Sequence, residues 1–326
     1  MIDERSCDAA SAFSEPRLAD LARRLRSLHQ GDIAVLDAVA VGAAAIGVLR
    51  DLLFERDRAG IFEPRRKAVQ ALAALNATGV LKEFITSWRP AADPVERLGD
   101  EAVLSAAARA LGSTLDEEAF STLLNIARKN LAPGVIEAVG RYKRAESISI
   151  LIEGLGDDCA SAAAEQALRA IGEQAVPALV DAALCLTTGP SGRETPSSLR
   201  RRRRALTLVS ELGPSAEIRE RLQQVVSDRD DEIAALACRI GIAAADDAQV
   251  RQCVCRLVEL LRRVAWPVRQ EVEECLIDNF AVVREVVDRA LRESIETASH
   301  DIERVRFVWS LRRVQARACS RHAAQS

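Results

Sequence analysis

The apolar positions of this 326-residue chain follow a helical period along most of its length. One template recurs six times: apolar residues at i, i+3, i+4 and i+7, followed one residue later by Gly or Asn. This spacing places four side chains on one stripe of a helix, and the closing residue suits the left-handed conformation that ends many helices. The six closing residues are Asn76, Gly112, Gly140, Gly172, Gly213 and Gly241.

A second set of helical segments lies between the template helices. These segments are predicted at residues 44–54, 80–88, 117–128, 146–155, 175–186, 216–227 and 249–264. Each precedes a further helix after a short polar turn, so the repeated unit is an antiparallel helix pair. Because one pair cannot bury both of its faces alone, the pairs are expected to stack. We therefore predict an all-α fold, a right-handed α-solenoid of about seven to eight antiparallel helix pairs.

The best-defined unit is the segment 164–184, AEQALRAIGEQAVPALVDAAL. It resembles a HEAT repeat of the short bacterial type found in phycobilin lyases and in many scaffold proteins, and Pro177 fits the first turn of its second helix. Segments 65–75 and 100–112 resemble the second helix of such repeats. The resemblance covers roughly residues 33–280 and implies a HEAT/armadillo-like superhelix. It leaves the function open, because this fold hosts many activities.

The domain organisation is predicted from where the template fails. We expect a disordered N-terminal segment at 1–15, one solenoid domain at 16–316 and a frayed C-terminal tail at 317–326. A loop insertion at 187–198, TTGPSGRETPSS, contains the Gly, Pro and Ser typical of a surface loop. Ser197 or Ser198 is expected to cap the helix that follows.

Composition narrows the class of protein. Hydrophobic residues make up 48% but aromatic residues only 3%, so the core must consist of Ala, Leu, Val and Ile. A net charge of −3 excludes a generally basic nucleic-acid binder. Eight scattered cysteines indicate reduced core residues in a reducing compartment. The apolar stretch 33–49 is interpreted as too short and too weakly apolar to span a membrane. We expect a cytoplasmic protein.

Candidate catalytic residues are sparse. HEAT-repeat metal oxygenases such as deoxyhypusine hydroxylase bind two irons through His-Glu pairs, whereas His29, His300 and His322 are each followed by another residue type. A zinc site would need four nitrogen or sulfur ligands at usable spacing, and none is evident. We predict no catalytic residues, no cofactor, no metal and no enzymatic activity.

The most conspicuous local feature is a run of five arginines, Arg200–Arg204, at the start of a predicted helix. A cation at this end of a helix costs roughly 0.3–1 kcal/mol at exposed sites. Two interpretations stay open. The run is neutralised by acidic residues of neighbouring repeats, or it is a docking patch for an acidic protein surface or a phosphate, which the planar guanidinium suits. The candidate acidic residues are Asp157, Asp158, Glu173, Asp228, Asp230, Asp231 and Glu232.

The predicted function is a non-catalytic protein-protein interaction scaffold or adaptor that binds an acidic partner through its concave face and an Arg-rich edge. The predicted partner-binding residues are Arg65, Arg66, Arg200, Arg201, Arg202, Arg203 and Arg204. The alternative is nucleic-acid binding through the same arginines. It is less favoured because the acidic helix start at 230–232 interrupts the positive stripe that a phosphate track needs. A second alternative is a lyase or chaperone-like factor of the phycobilin-lyase type.

Overall fold

The computed structural model describes residues 15–27, 29–57, 60–242, 247–296 and 302–325. Within these ranges the secondary structure consists of 18 α-helices, a few short 3-10 turns and one isolated antiparallel bridge between Thr188 and Glu194. The prediction of an all-α fold is confirmed. The chain divides into two compact units, Met1–Ile171 and Gly172–Ser326, whereas the sequence predicted a single domain.

Unit 1 has two alternating layers of helices. The first layer holds α1 (Glu15–Leu25), α3 (Ile46–Phe54), α5 (Thr78–Ser87), α7 (Glu117–Ala127) and α9 (Ile148–Gly154). The second layer holds α2 (Gly31–Val41), α4 (Glu63–Ala74), α6 (Pro94–Gly112), α8 (Pro133–Gly140) and α10 (Ser161–Ile171). Each second-layer helix packs against the next one along the chain. Unit 1 is therefore a stack of five helix pairs.

Unit 2 repeats this arrangement. Its first layer holds α11 (Val176–Leu184), α13 (Ala216–Leu222), α15 (Asp247–Leu260) and α17 (Phe280–Glu296). Its second layer holds α12 (Pro196–Leu212), α14 (Asp231–Gly241), α16 (Trp266–Asp278) and α18 (Ile302–Gln325). The described residues thus form nine helix pairs rather than seven to eight. Terminal pairs are harder to recognise because their template is imperfect; in α2, for example, Asp37 stands at an apolar position.

The template stripe forms the core. Leu72, Ala108, Ile136 and Leu168 occupy the same place in four successive template helices, and each is fully buried. Small residues of the stripe, such as Ala107, are buried beside them. Burying a leucine side chain contributes about 1.5–3 kcal/mol. Stacked aliphatic stripes of this kind supply the apolar core that an aromatic-poor sequence requires.

The six closing residues of the template fall into two groups. Three adopt the predicted positive φ: Asn76 (53°), Gly172 (77°) and Gly213 (76°). The prediction is wrong for the other three, which remain helical: Gly112, Gly140 and Gly241. A Cβ added at Gly112 would lie 2.8 Å from the Cβ of Ala138, and one at Gly241 would lie 2.6 Å from the Sγ of Cys253. Glycine in this second group allows neighbouring helices to approach closely.

The apolar segment near the N-terminus is longer than the stretch 33–49 identified from the sequence. Gly31–Phe54 has a mean hydropathy of 2.0 over 18 residues and meets the length and composition of a membrane span, which corrects the earlier interpretation. In this structure the segment is not one continuous α-helix. Gly42 has φ 76° and ψ −143°, a 3-10 turn follows, and α3 packs against α4. The segment therefore contributes two successive helices to unit 1.

The two ends of the chain were predicted to be a disordered segment and a frayed tail. Of the segment predicted to be disordered, residues 1–14 lie outside the described residues, and Glu15 begins α1. In the segment 317–326, predicted to be a frayed tail, α18 continues to Gln325. Arg317 and Arg321 pair with Glu274 at 2.5 and 2.9 Å, which anchors this last part of the helix to α16.

The loop before α12 ends earlier than predicted. Thr195, rather than Ser197 or Ser198, is the N-cap, and its hydroxyl accepts a hydrogen bond from the Ser198 amide at 3.2 Å. Pro196 then takes the first helical position, which proline favours. The buried Ser198 hydroxyl accepts from the Thr187 amide at 2.9 Å and donates to Glu194 at 2.7 Å. These bonds tie the two ends of the loop together.

Candidate functional site

The arginine run is largely engaged inside unit 2. Arg202 is 1% exposed. Its Nε donates to the Ala183 carbonyl at 2.8 Å, its Nη1 contacts Glu194 at 2.8 Å and its Nη2 contacts Asp228. One guanidinium thus connects the end of α11, the loop before α12 and the approach to α14. A buried charge needs this degree of pairing to be tolerated.

Arg65 has the same arrangement in unit 1. It is 5% exposed, and its Nε donates to the Leu53 carbonyl at 2.9 Å. Its Nη1 pairs with the buried Asp100, and its guanidinium lies 5.7 Å from the ring centre of Phe84. The prediction that Arg65 and Arg202 contact a partner is corrected, because burial and internal pairing leave neither side chain accessible.

The other arginines of the run are less buried. Arg203 pairs with Asp230 at 2.6 Å and with Glu232 at 2.5 Å. Arg201 donates to the Cys185 carbonyl at 3.0 Å, and Arg200 and Arg204 also make internal interactions. The geometry therefore favours internal neutralisation for most of the run. Partner binding by the accessible parts of these arginines stays a prediction.

A groove of about 620 Å³ lies over the second layer of unit 1. Its floor consists mainly of small side chains, because α6 contributes Ala102, Ala106 and Ala110 and α4 contributes Ala73 and Val69. Its charged lining residues are Arg66, Arg109 and Glu101, and Cys159 also lines it. We call this feature the α4–α6 groove. Of the seven arginines predicted to bind a partner, Arg66 alone lines it.

A smaller pocket of about 280 Å³ lies farther along the same layer, between α8 and α10. Glycine and alanine again form its walls, through Gly140, Ala163 and Ala170. The exposed side chains of Arg141 and Lys143 line it where α8 ends. We call this feature the α8–α10 pocket. It is linked to the α4–α6 groove by the ion pair between Arg109 and Glu137, one from each lining set.

The groove and the pocket differ in how far their cations are paired with carboxylates. In the groove, Arg66 is paired with Glu63 at 2.8 Å. The hydrogen bond from Arg66 lowers the pKa of the Glu63 carboxyl. At the pocket, the hydrogen bond from Arg109 lowers the pKa of Glu137, with a smaller effect from the charge of Arg141.

The pocket carries an excess of positive charge. Arg141 donates to the carbonyl of Arg109 at 3.2 Å. Within the described residues, neither Arg141 nor Lys143 has a carboxylate within ion-pair distance. The pocket thus presents two cations whose charge no adjacent carboxylate fully neutralises. Helix C-termini favour cations, since the helix dipole is negative there, so these side chains are held at low cost.

Sequence reasoning missed Arg109, Arg141 and Lys143. Each is a single cation in an otherwise mixed segment, so none stands out by charge density. Their positions relative to the template carry the available signal. Arg109 lies three residues before the closing Gly112, and Arg141 directly follows the closing Gly140. Cations at the ends of template helices reach the surface where those helices stop.

Two cysteines of unit 2, Cys238 and Cys275, are held in surroundings that disfavour their thiolate forms. Cys238 of α14 and Cys253 of α15 are fully buried. A hydrogen bond with Cys253, together with burial, raises the pKa of Cys238 far above its usual range. Burial raises the pKa of Cys275 to about 11. Thiols with raised pKa values are poor nucleophiles and ligands at neutral pH. Among the described residues, no group of three His, Cys, Asp or Glu side chains is placed to hold a metal.

No protein-family model and no curated protein matches the chain. Two solved structures that match it are helical-repeat proteins. The complex of CpcE and CpcF of phycocyanin lyase from Nostoc sp. PCC7120 is 17% identical and has a TM-score of 0.34, covering 80% of this chain and 99% of that one. Human deoxyhypusine hydroxylase in complex with glycerol is 15% identical and has a TM-score of 0.31, covering 83% and 96%.

The fold is that of a HEAT-like repeat protein. The helix pairs of each unit show this directly, and similarity at this level says nothing about substrate or site. The prediction that the chain has no enzymatic activity is nevertheless corrected. One matched structure is named as a lyase and the other as a hydroxylase, so membership of this fold class does not exclude catalysis.

Proposed function

We propose that the chain binds a partner protein through the α4–α6 groove and the α8–α10 pocket of unit 1. The observation that carries the proposal is the groove itself, which offers about 620 Å³ over a floor of small side chains. Small residues let another backbone approach closely, as they do between packed helices. The adjoining excess of cations supports a partner with an acidic surface.

Site-specific photo-cross-linking in extracts of the native cell tests this proposal. A photoreactive residue at Ala106 lies in the groove, while one at the exposed Asn125 of α7 serves as a control on the other layer. We expect a protein adduct of defined mass from position 106 and none from position 125. Equal labelling at both positions, or no adduct from either, would show that the groove does not bind a protein.

A role of the lyase type, acting on a small molecule, is the second candidate. The groove volume of about 620 Å³ falls within the roughly 300–1,000 Å³ typical of small-molecule sites. Native mass spectrometry and absorbance of the protein purified from its own cells would detect a bound compound. A stoichiometric ligand that protects Cys159 from alkylation, but not the exposed Cys255, would favour this candidate over protein binding.

Nucleic-acid binding has less structural support than these two candidates. Arg65 and Arg202 are buried, and Arg203 is paired with two carboxylates. The positive track that the alternative requires is therefore reduced to separate side chains. This alternative would be supported if the chain bound duplex or single-stranded nucleic acid with an affinity that falls steeply as the salt concentration rises.

A further inference from the structure

The floor of the α4–α6 groove continues onto α2 in register. Counting back from the closing residue Asn76, the α4 lining positions are Val69, Gln70 and Ala73. Counting back equally from Gly42 places Val35, Leu36 and Val39 at these positions of α2. Because α2 packs against α4 in the same layer, these residues extend the groove surface.

The extended surface becomes more apolar toward α2. Leu36 is 70% exposed and Ile33, three residues earlier, is 58% exposed. Exposed aliphatic side chains at this spacing form one stripe along the helix. A monomer gains nothing by presenting such a stripe to water, since each leucine left exposed forgoes about 1.5–3 kcal/mol of burial. The α2 end of the surface is therefore suited to an apolar occupant.

The opposite end of the surface is suited to an anionic occupant. Arg141 and Lys143 line the α8–α10 pocket, and Glu137, the carboxylate that lines it with them, is already paired with Arg109. Exposed cations of this kind select a partner by charge and raise its rate of association. An occupant that reaches both ends must carry apolar groups at one end and carboxylates at the other.

The span limits what kind of segment can do this. The five second-layer helices from α2 to α10 are separated by four interhelix spacings of about 8–10 Å, or roughly 32–40 Å in all. A helix of about 24 residues is roughly 36 Å long. The alanine-lined floor leaves room for the side chains of such a helix, and the grooved surface recognises an apolar stripe at i, i+3, i+4 and i+7.

We infer that unit 1 binds an acidic amphipathic helix of a partner protein, about 24 residues long. Its apolar stripe lies over α2, α4 and α6, and its glutamates or aspartates reach Arg141 and Lys143. This inference rests on the proposed function and specifies the partner's chemistry.

A set of synthetic peptides tests the inference with the full chain. The first is a 24-residue peptide whose surface-facing helical stripe carries leucine along its first two-thirds and glutamate along its last third. The second replaces every glutamate by lysine, and the third keeps the first composition in scrambled order. We expect fluorescence anisotropy to show saturable binding of the first peptide, with at least tenfold weaker binding of the other two.

Two surface variants and two matched controls locate the site. Arg141→Gln combined with Lys143→Gln is expected to weaken binding of the acidic peptide at least tenfold, as is Leu36→Asp. Neutralising the exposed pair Arg128 and Lys129, which lies at the end of α7, should leave binding within twofold. Leu186→Asp, at an exposed leucine of unit 2, is the control for the apolar change. Circular dichroism confirms that each variant is folded.

Several outcomes would overturn the inference. They are equal binding of the lysine peptide, an equal loss in the Arg128 and Lys129 control, or no binding of the acidic peptide. Failure of the inference is distinct from failure of the proposed function. A protein adduct at position 106 that lacks an acidic helix would leave protein binding in place and reject this class of partner.

Discussion

Two glycine positions in unit 1 give opposite expectations for the same substitution. Gly112 ends α6, and a Cβ added there would lie 2.8 Å from the Cβ and 3.0 Å from the Cα of Ala138. Carbon atoms pack at about 3.5–4.0 Å, so α6 and α8 would have to separate by about 1 Å. Overpacking of this kind costs about 1–3 kcal/mol. The gain in helix propensity from Gly to Ala offsets at most about 1 kcal/mol.

The comparison position is Gly79, which is exposed in α5 with nothing within 4 Å of an added Cβ. Gly79→Ala should stabilise the chain by about 0.5–1 kcal/mol. We expect urea unfolding, followed by circular dichroism, to show a lower midpoint for Gly112→Ala and a higher midpoint for Gly79→Ala. A rise in midpoint for Gly112→Ala equal to that for Gly79→Ala would refute the assignment of Gly112 to close helix packing.

A third substitution separates packing from backbone strain. Gly42 has φ 76° and no atom within 4 Å of an added Cβ. Gly42→Ala should lower the free energy of unfolding by about 1–3 kcal/mol through the strained backbone alone. Combining Gly42→Ala with Gly112→Ala should give additive losses, because no packing neighbour is shared. A marked departure from additivity in the unfolding curves would contradict two independent mechanisms.

Three further predictions concern charges and caps. Arg202→Met removes a buried guanidinium and leaves the partly buried carboxylates of Glu194 and Asp228 without their cation, which should lower the free energy of unfolding by about 3–5 kcal/mol. Arg193→Gln in the exposed loop should change it by less than about 0.5 kcal/mol, and equal urea midpoints for the two variants would contradict this. Thr195→Ala removes the N-cap of α12 and should lower the free energy of unfolding by about 1 kcal/mol. Urea unfolding measures this change, and an unchanged midpoint would show that the helix starts at another residue. The pKa of Glu137 is lowered in the folded chain, so its stabilisation is present above the unfolded carboxyl value of about 4.3 and is lost as the pH falls through the folded pKa. Glu137→Gln should therefore reduce the acid-induced fall in the midpoint below about pH 4.5 and leave its slope unchanged between pH 6 and 8.

The repeat could be predicted from sequence because it depends on the spacing of apolar residues within each helix. Apolar residues at i, i+3, i+4 and i+7 give a helix one apolar face, whatever residues lie elsewhere in the chain. Leu104 and Leu168 lie on such faces, and both are fully buried. The role of the closing glycines could not be predicted in the same way. Gly172 and Gly140 look alike in sequence, yet the first adopts positive φ and the second remains helical against Ala167. That difference depends on how closely a helix from the next repeat approaches.

The groove illustrates a further limit of sequence reasoning. Its floor of alanines is indistinguishable in composition from the buried stripe, since Ala106 lines the groove while Ala107 is fully buried. Only the direction in which each side chain leaves the helix separates them. Successive helical residues differ by about 100° in direction. A groove between helices therefore becomes visible once the neighbouring helices are placed.

Charge density was a poor guide to accessible charge, and register within the repeat is a better one. Arg65 precedes its closing residue Asn76 by 11 positions, and Arg202 precedes Gly213 by 11. Both are buried, and both donate Nε to a carbonyl at the end of the preceding helix. One of them lies in a run of five arginines and the other does not, so the run did not determine the outcome. Their shared position in the repeat determines their burial, because it directs both side chains toward the junction between repeats. Cations at the ends of template helices point away from that junction, which is why Arg141 is the accessible charge and Arg202 is not.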